Sequence, residues 1–174
     1  MLNAMKCCQD VQHCCPSSDK IINVEFLYLD LSICERCQGS DKQLNEAIHL
    51  LRPILLELGY ELKLNKINVN TEALARKTHF YSSPTIKING VDIVLQVEED
   101  ACVSCGDLCG DSVDCRVFTY QGKTYHEPPK AMIIDAILKS MYLPKTLIKP
   151  SVYVLPDNLK KFYDGQKRNA NTNM

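Results

Sequence analysis

Cys34-Glu35-Arg36-Cys37 is the stretch of this chain best suited to chemistry. A run of strand-forming residues precedes it and a helical pattern follows, so the pair sits at the mouth of a helix. A helix N-terminus presents unpaired backbone N–H groups and the positive end of its dipole, and both favour a thiolate. A spacing of three residues lets the second sulfur turn back and resolve a mixed disulfide formed by the first. The same two sulfurs could instead hold a metal ion, or be two ordinary buried cysteines. Arg36 supports a thiolate here and Glu35 opposes it.

Further cysteines compete for attention. Cys102, Cys105, Cys109 and Cys115 are separated by two, three and five residues, with Gly106 and Gly110 permitting tight turns between them. Four thiolates at such spacings close a tetrahedral zinc site or bind an iron–sulfur cluster, and they equally form two disulfides that staple a long loop. Near the N-terminus, Cys7-Cys8 and Cys14-Cys15 flank His13. Adjacent cysteines make poor disulfides, because bridging them demands unusual backbone geometry. Paired thiolates do suit soft ions such as copper(I), zinc, mercury or arsenite. The plain alternative is an arm whose cysteines have no dedicated role. His49, His79 and His126 form no second catalytic set, and there is no Ser/His/Asp order, phosphate-binding glycine loop or HExxH helix.

The whole chain has 174 residues, 45% hydrophobic and 24% charged, which is ordinary for a globular protein with its own core. A formal net charge of -1 with no basic face gives no reason to expect a nucleic-acid partner. No apolar run approaches the roughly 20 residues that span a membrane. The start of the sequence lacks the apolar segment and cleavage site of a secretory leader. Ten cysteines in such a chain point to the cytoplasm, where thiols stay reduced and clusters serve metal binding or redox chemistry.

The elements that must position these residues follow from periodicity. Residues 1–20 read as a cysteine-rich flexible arm. Ile21 to Asp30 is rich in β-branched and aromatic residues and reads as a buried strand. Leu44, Ile48, Leu51, Leu55 and Leu58 recur at helical spacing up to Gly59, with Pro53 expected to kink that helix. A second strand follows from Tyr60 to Val69, then a short helix capped by Thr71. Ser83-Pro84-Thr85 introduces a hairpin in which Ile86 and Ile88, then Val91, Ile93 and Leu95, alternate around Asn89-Gly90. A further hairpin is expected around Gln121-Gly122, and a helix with Met132, Ile133, Ala136, Ile137 and Met141 on its apolar side. The end of the chain reads as a short amphipathic helix and a disordered tail from Gln166.

This order calls for a parallel strand pair joined by a right-handed crossover, with an antiparallel hairpin added to the same sheet. Here the chain resembles the thioredoxin-like superfamily, over about residues 21–142. The resemblance rests on Cys34-Glu35-Arg36-Cys37 after the first strand, the proline in the following helix, and Ser83-Pro84-Thr85 before the hairpin. It is most similar to a cysteine-rich branch that combines these motifs with Asn89-Gly90 and the later cysteine segment. The resemblance implies an α/β (α+β sandwich) fold of βαβ-α-ββα order, with a cysteine-rich insert at 98–126 before the last core helix and an extension at 143–174. It also implies that Pro84 is cis and faces the cysteine pair, Cys34 being the nucleophile and Cys37 the resolving thiol. Ser83 would then keep its backbone free to pair with an extended substrate chain.

Three functions remain open on these grounds. The first is thiol–disulfide exchange with a thiol or disulfide protein partner, which needs no cofactor. The second is binding of zinc, an iron–sulfur cluster, or a soft metal or metalloid ion, with Cys34 and Cys37 as ligands. The third is an interaction module without turnover.

Overall fold

The computed structural model describes residues 20–94, 96–102, 105–106, 113–142 and 152–172. The arm cysteines Cys7, Cys8, Cys14 and Cys15, the insert's Cys109, and Leu95 lie outside the described residues.

Strand β1 (Ile21–Tyr28) is central. It pairs in parallel with β2 (Glu61–Asn68), from Ile21 opposite Glu61 to Tyr28 opposite Asn68. On its other edge it pairs antiparallel with β3 (Thr85–Ile88), Val24 facing Ile88 and Leu27 facing Thr85. The short β4 (Val91–Asp92) returns along β3 through the expected Asn89-Gly90 turn. Both turn residues have positive φ, 51° and 81°, which that tight hairpin requires and which Asn and Gly supply. The sheet order is β2-β1-β3-β4.

A parallel pair needs a long crossover, and helix α1 (Glu35–Glu57) supplies it. Its buried stripe includes Leu44, Ala47, Ile48, Leu51 and Leu55. The helix runs through Pro53 without ending. Pro53 and His49 both lie on the exposed face, so the carbonyl deprived of its donor is open to water. Helix α2 (Glu72–Thr78) begins at the expected cap, where the Thr71 hydroxyl accepts the Leu74 N–H at 3.2 Å.

Helix α3 (Lys130–Tyr142) packs beside α1 on one side of the sheet. There Val24, Phe26, Leu44, Ile86, Ile133 and Ile137 form a continuous buried cluster. A second cluster joins Leu27 and Leu29 to Ala75, Phe80 and the last helix, and it contains the buried cysteines.

That last helix, α4 (Asp157–Thr172), corrects the expectation of a short helix and disordered tail. Helix continues past Gln166, and its first turns are anchored. Leu159, Phe162 and Tyr163 are buried, and the Tyr163 hydroxyl donates to the Val69 carbonyl at 2.9 Å. Polar composition alone hid this, because the anchoring contacts lie nearly a hundred residues away in sequence.

The insert forms its own sheet of β5 (Glu98–Ala101), β6 (Asp114–Tyr120) and β7 (Lys123–Tyr125), in the order β5-β6-β7. The β6–β7 turn is the expected Gln121-Gly122, again with positive φ at both residues. Strand β5 was not anticipated, since Glu98-Glu99-Asp100-Ala101 has no strand propensity. Pairing with β6, Glu98 opposite Val117 and Ala101 opposite Asp114, holds it extended. The described residues thus form a mixed α/β structure. Among them, no helix is long and apolar enough to cross a membrane.

Candidate thiolate site

The loop after β1 is pinned by one carboxylate. Asp30 Oδ1 accepts from the Ser32 N–H at 2.6 Å, the Ser32 hydroxyl at 2.7 Å and the Ile33 N–H at 2.8 Å. This Asx turn delivers Cys34 to the N-cap of α1 with an extended backbone. The Cys34 sulfur then takes the role usually filled by a serine or aspartate oxygen, accepting the Cys37 N–H at 3.4 Å.

Cys37, one turn on, faces β3. Its sulfur lies 3.3 Å from the Ser83 hydroxyl, which also accepts the Leu29 N–H at 3.1 Å. The Ser83–Pro84 peptide is cis, as the resemblance implied. The expectation of a free Ser83 backbone fails at its carbonyl, which accepts the Arg116 N–H of β6 at 2.7 Å. The insert's own strand occupies the place expected for an incoming chain.

Next to Arg116, Cys115 brings its sulfur to the same spot from the insert's side. The Cys102 N–H donates to the Val113 carbonyl at 3.0 Å and the Gly106 N–H to the Cys102 carbonyl at 3.1 Å, which brings Cys102, Gly106 and Val113 together. The outcome is a group of four buried sulfurs, Cys34, Cys102, Cys105 and Cys115, all within 4.8 Å of one another. Cys105 Sγ lies 3.8 Å from Cys34 Sγ and 3.3 Å from Cys115 Sγ. Around a zinc ion with bonds of about 2.3 Å, tetrahedral thiolates stand about 3.8 Å apart, so these separations suit a single ion. Cys34, Cys37, Cys102 and Cys115 are thiols here, not half-cystines.

The expected insert set is therefore regrouped. Cys102, Cys105 and Cys115 converge as anticipated, and the fourth member among the described residues is Cys34, assigned from sequence to the Cys-x-x-Cys pair. Cys34 is the sulfur of the group most favoured as a thiolate. Its pKa is pushed far below the ordinary thiol value by hydrogen bonding from Cys102, then Cys105, Cys115 and Cys37, against the opposing effect of burial. Cys102 is lowered to about 7, chiefly by Cys105 and Cys115. Cys37 is pushed well up, by its contact with Cys34 first and by burial second.

From sequence, Arg36 could only be set against Glu35 beside the thiolate, and the structure gives it further partners. It pairs with Asp100 of β5 and donates from Nη2 to the Ala101 carbonyl at 2.9 Å and from Nη1 to the Cys115 carbonyl at 3.5 Å. His126 Nε2 stands 3.0 Å from the other Asp100 oxygen. One guanidinium thus ties the helix carrying Cys34 to the strands carrying Cys102 and Cys115, and places a cation beside a thiolate cluster. Arg36→Gln should lower affinity for a thiophilic ion such as Cd2+ by about tenfold, the scale of lost outer-shell support. A chelator competition showing less than a twofold change would remove this role.

Comparison with known proteins places these residues in a family. Residues 22–137 match the domain of unknown function DUF2703. The chain belongs to that family. The DUF2703 match contains all four sulfurs, Cys37, Ser83 and Pro84, whereas the arm cysteines and α4 lie beyond it. An uncharacterised protein of Archaeoglobus fulgidus is 30% identical over 100 residues, covering 55% of this chain and 69% of the relative. No solved structure matches the chain.

Proposed function

We propose that this protein binds a soft metal or metalloid ion through Cys34, Cys102, Cys105 and Cys115. The convergence of these four buried sulfurs within 4.8 Å carries the reading. Thiolate donors select thiophilic ions. An iron–sulfur cluster would interpose several atoms between the cysteine sulfurs, so the close spacing favours a single ion. Four thiolates around a divalent cation leave a doubly negative set, which the neighbouring Arg36 partly offsets. The N-terminal cysteines Cys7, Cys8, Cys14 and Cys15 would serve as an accessory ion trap, and a cytoplasmic setting would keep all these thiols reduced.

The test is native mass spectrometry with elemental analysis on full-length protein purified without oxygen. One thiophilic ion per chain is expected at the cluster. Cys34, Cys102, Cys105 and Cys115 should resist alkylation in mild urea until a chelator is added. Retained ion without chelator-dependent protection of Cys34 would overturn the four-sulfur site.

A second reading has its own support. The order β2-β1-β3-β4, Cys-x-x-Cys at the β1–α1 junction and the cis peptide before β3 agree with a thioredoxin-like frame. In such a frame, Cys34 and Cys37 would exchange disulfides with a protein partner, and Ser83 and Pro84 would position it. The contact between β6 and the Ser83 carbonyl then means that the insert must move before a substrate chain can pair there.

A further inference from the structure

Cys37 is the described cysteine that the four-sulfur group leaves out, although it lies one turn from a member of it. Its backbone N–H contacts the Cys34 sulfur at 3.4 Å, and its own sulfur faces the Ser83 hydroxyl at 3.3 Å. With an ion held by Cys34, Cys102, Cys105 and Cys115, Cys37 keeps its sulfur uncommitted among the described cysteines. We propose that Cys37 is a release trigger: a hydroperoxide oxidises the Cys34–Cys37 pair, and the ion loses one of its four sulfurs. This inference rests on the metal reading above.

The chemistry balances with hydrogen peroxide as the oxidant. The Cys34 thiolate attacks one peroxide oxygen, the O–O bond breaks, and the hydroxide that leaves takes a proton from solvent to become water. Cys34 is then a sulfenic acid, the first and reversible step of thiol oxidation. Cys37 attacks that sulfur, the S–O bond breaks, and the departing hydroxide takes the Cys37 proton. Two sulfurs have each lost one electron, and the peroxide has become two waters. The Ser83 hydroxyl stands where it can stabilise the Cys37 sulfur as it sheds its proton. A small oxidant also suits a buried site better than a disulfide-bearing protein, whose approach at Ser83 is already taken by β6.

The gate explains why a metal site would include one sulfur of a Cys-x-x-Cys pair and exclude the other. Cys105 and Cys115 are also close, at 3.3 Å, but both are ligands in the loaded state and neither offers an uncommitted thiol.

The test uses full-length protein carrying Cys7→Ser, Cys8→Ser, Cys14→Ser and Cys15→Ser, so that the arm cannot hold ions. Loaded with Cd2+ under reducing conditions, it is treated with hydrogen peroxide while the thiolate-to-cadmium absorption band and released Cd2+ are followed. Release should keep step with a Cys34–Cys37 bridge found by peptide mapping, and a dithiol reductant should restore binding. Adding Cys37→Ser should leave Cd2+ stoichiometry unchanged and slow release by about tenfold or more, since no resolving thiol follows the first oxidation. Release at the parent rate in that variant, or a bridge confined to Cys102, Cys105 and Cys115 in the parent, would overturn the trigger alone. A reduced parent chain that holds no Cd2+ would overturn the metal reading and the trigger with it. The mapped bridge in the parent decides the matter even if Cys37→Ser folds poorly.

Discussion

Cys34→Ser is expected to weaken Cd2+ binding by about a hundredfold or more in full-length protein whose arm cysteines are replaced by serine. Structural thiolate sites bind zinc with roughly 10–16 kcal/mol spread over four ligands, or about 3 kcal/mol for each. At 1.4 kcal/mol per factor of ten, one lost thiolate is worth about two orders of magnitude. Serine cannot replace it, since its hydroxyl is a hard donor and stays protonated. Cys105→Ser should do the same, because Cys105 approaches both Cys34 and Cys115 in the group. Chelator competition gives the affinity. A Cys34→Ser variant within threefold of its parent would show that the insert cysteines bind without the Cys-x-x-Cys pair.

The roles of the cysteines could be read from sequence only in pieces. Local signals were clear: the helix mouth at Cys34, the cap at Thr71, and the turns at Asn89-Gly90 and Gln121-Gly122 each follow from a few adjacent residues. The convergence of Cys102, Cys105 and Cys115 was also foreshadowed by their spacing. What spacing could not disclose is that β6 docks its backbone on Ser83, some thirty residues upstream, and so carries Cys115 to Cys34. Composition gave no warning of β5 either, since an acidic segment becomes a strand only when another strand holds it. Arg36 illustrates the same limit. Its position beside a cysteine suggested electrostatic help, but its partners Asp100, Ala101 and Cys115 are 64 to 79 residues away.

The docking of β6 has an anchor, and breaking it should cause the largest loss of stability among the changes considered. The Arg116 side chain is fully buried, and its Nη1 donates to both oxygens of Asp92 at 2.8 Å. Its Nε and Nη2 have no hydrogen-bond partner among the described residues, so Asp92 is its main compensation. Lys87 lies alongside, with Nζ bonded to the Thr78 carbonyl at 2.5 Å and the His79 carbonyl at 3.3 Å. Burial foremost, with Arg116 adding to it, lowers the Lys87 pKa, while Asp92 works against that shift. Asp92→Ala would leave the buried Arg116 guanidinium without its carboxylate, and would leave Glu25 alone to favour the Lys87 ammonium.

Removing one partner of a buried pair costs about 3–5 kcal/mol, because the remaining charge has lost its compensation. Asp92 is partly exposed, which admits some water and places the expected cost near the lower end, about 3 kcal/mol. Urea unfolding of the reduced, metal-free chain measures it. Since the Arg116 backbone also holds Ser83, the same change should loosen Cys115 from Cys34 and lower Cd2+ affinity in parallel. Asp92→Leu combined with Arg116→Met should be less damaging than Asp92→Ala alone, as no buried charge is then left unpaired. A loss below about 1 kcal/mol for Asp92→Ala, or a double variant worse than the single one, would show that the pair is not what seats the insert.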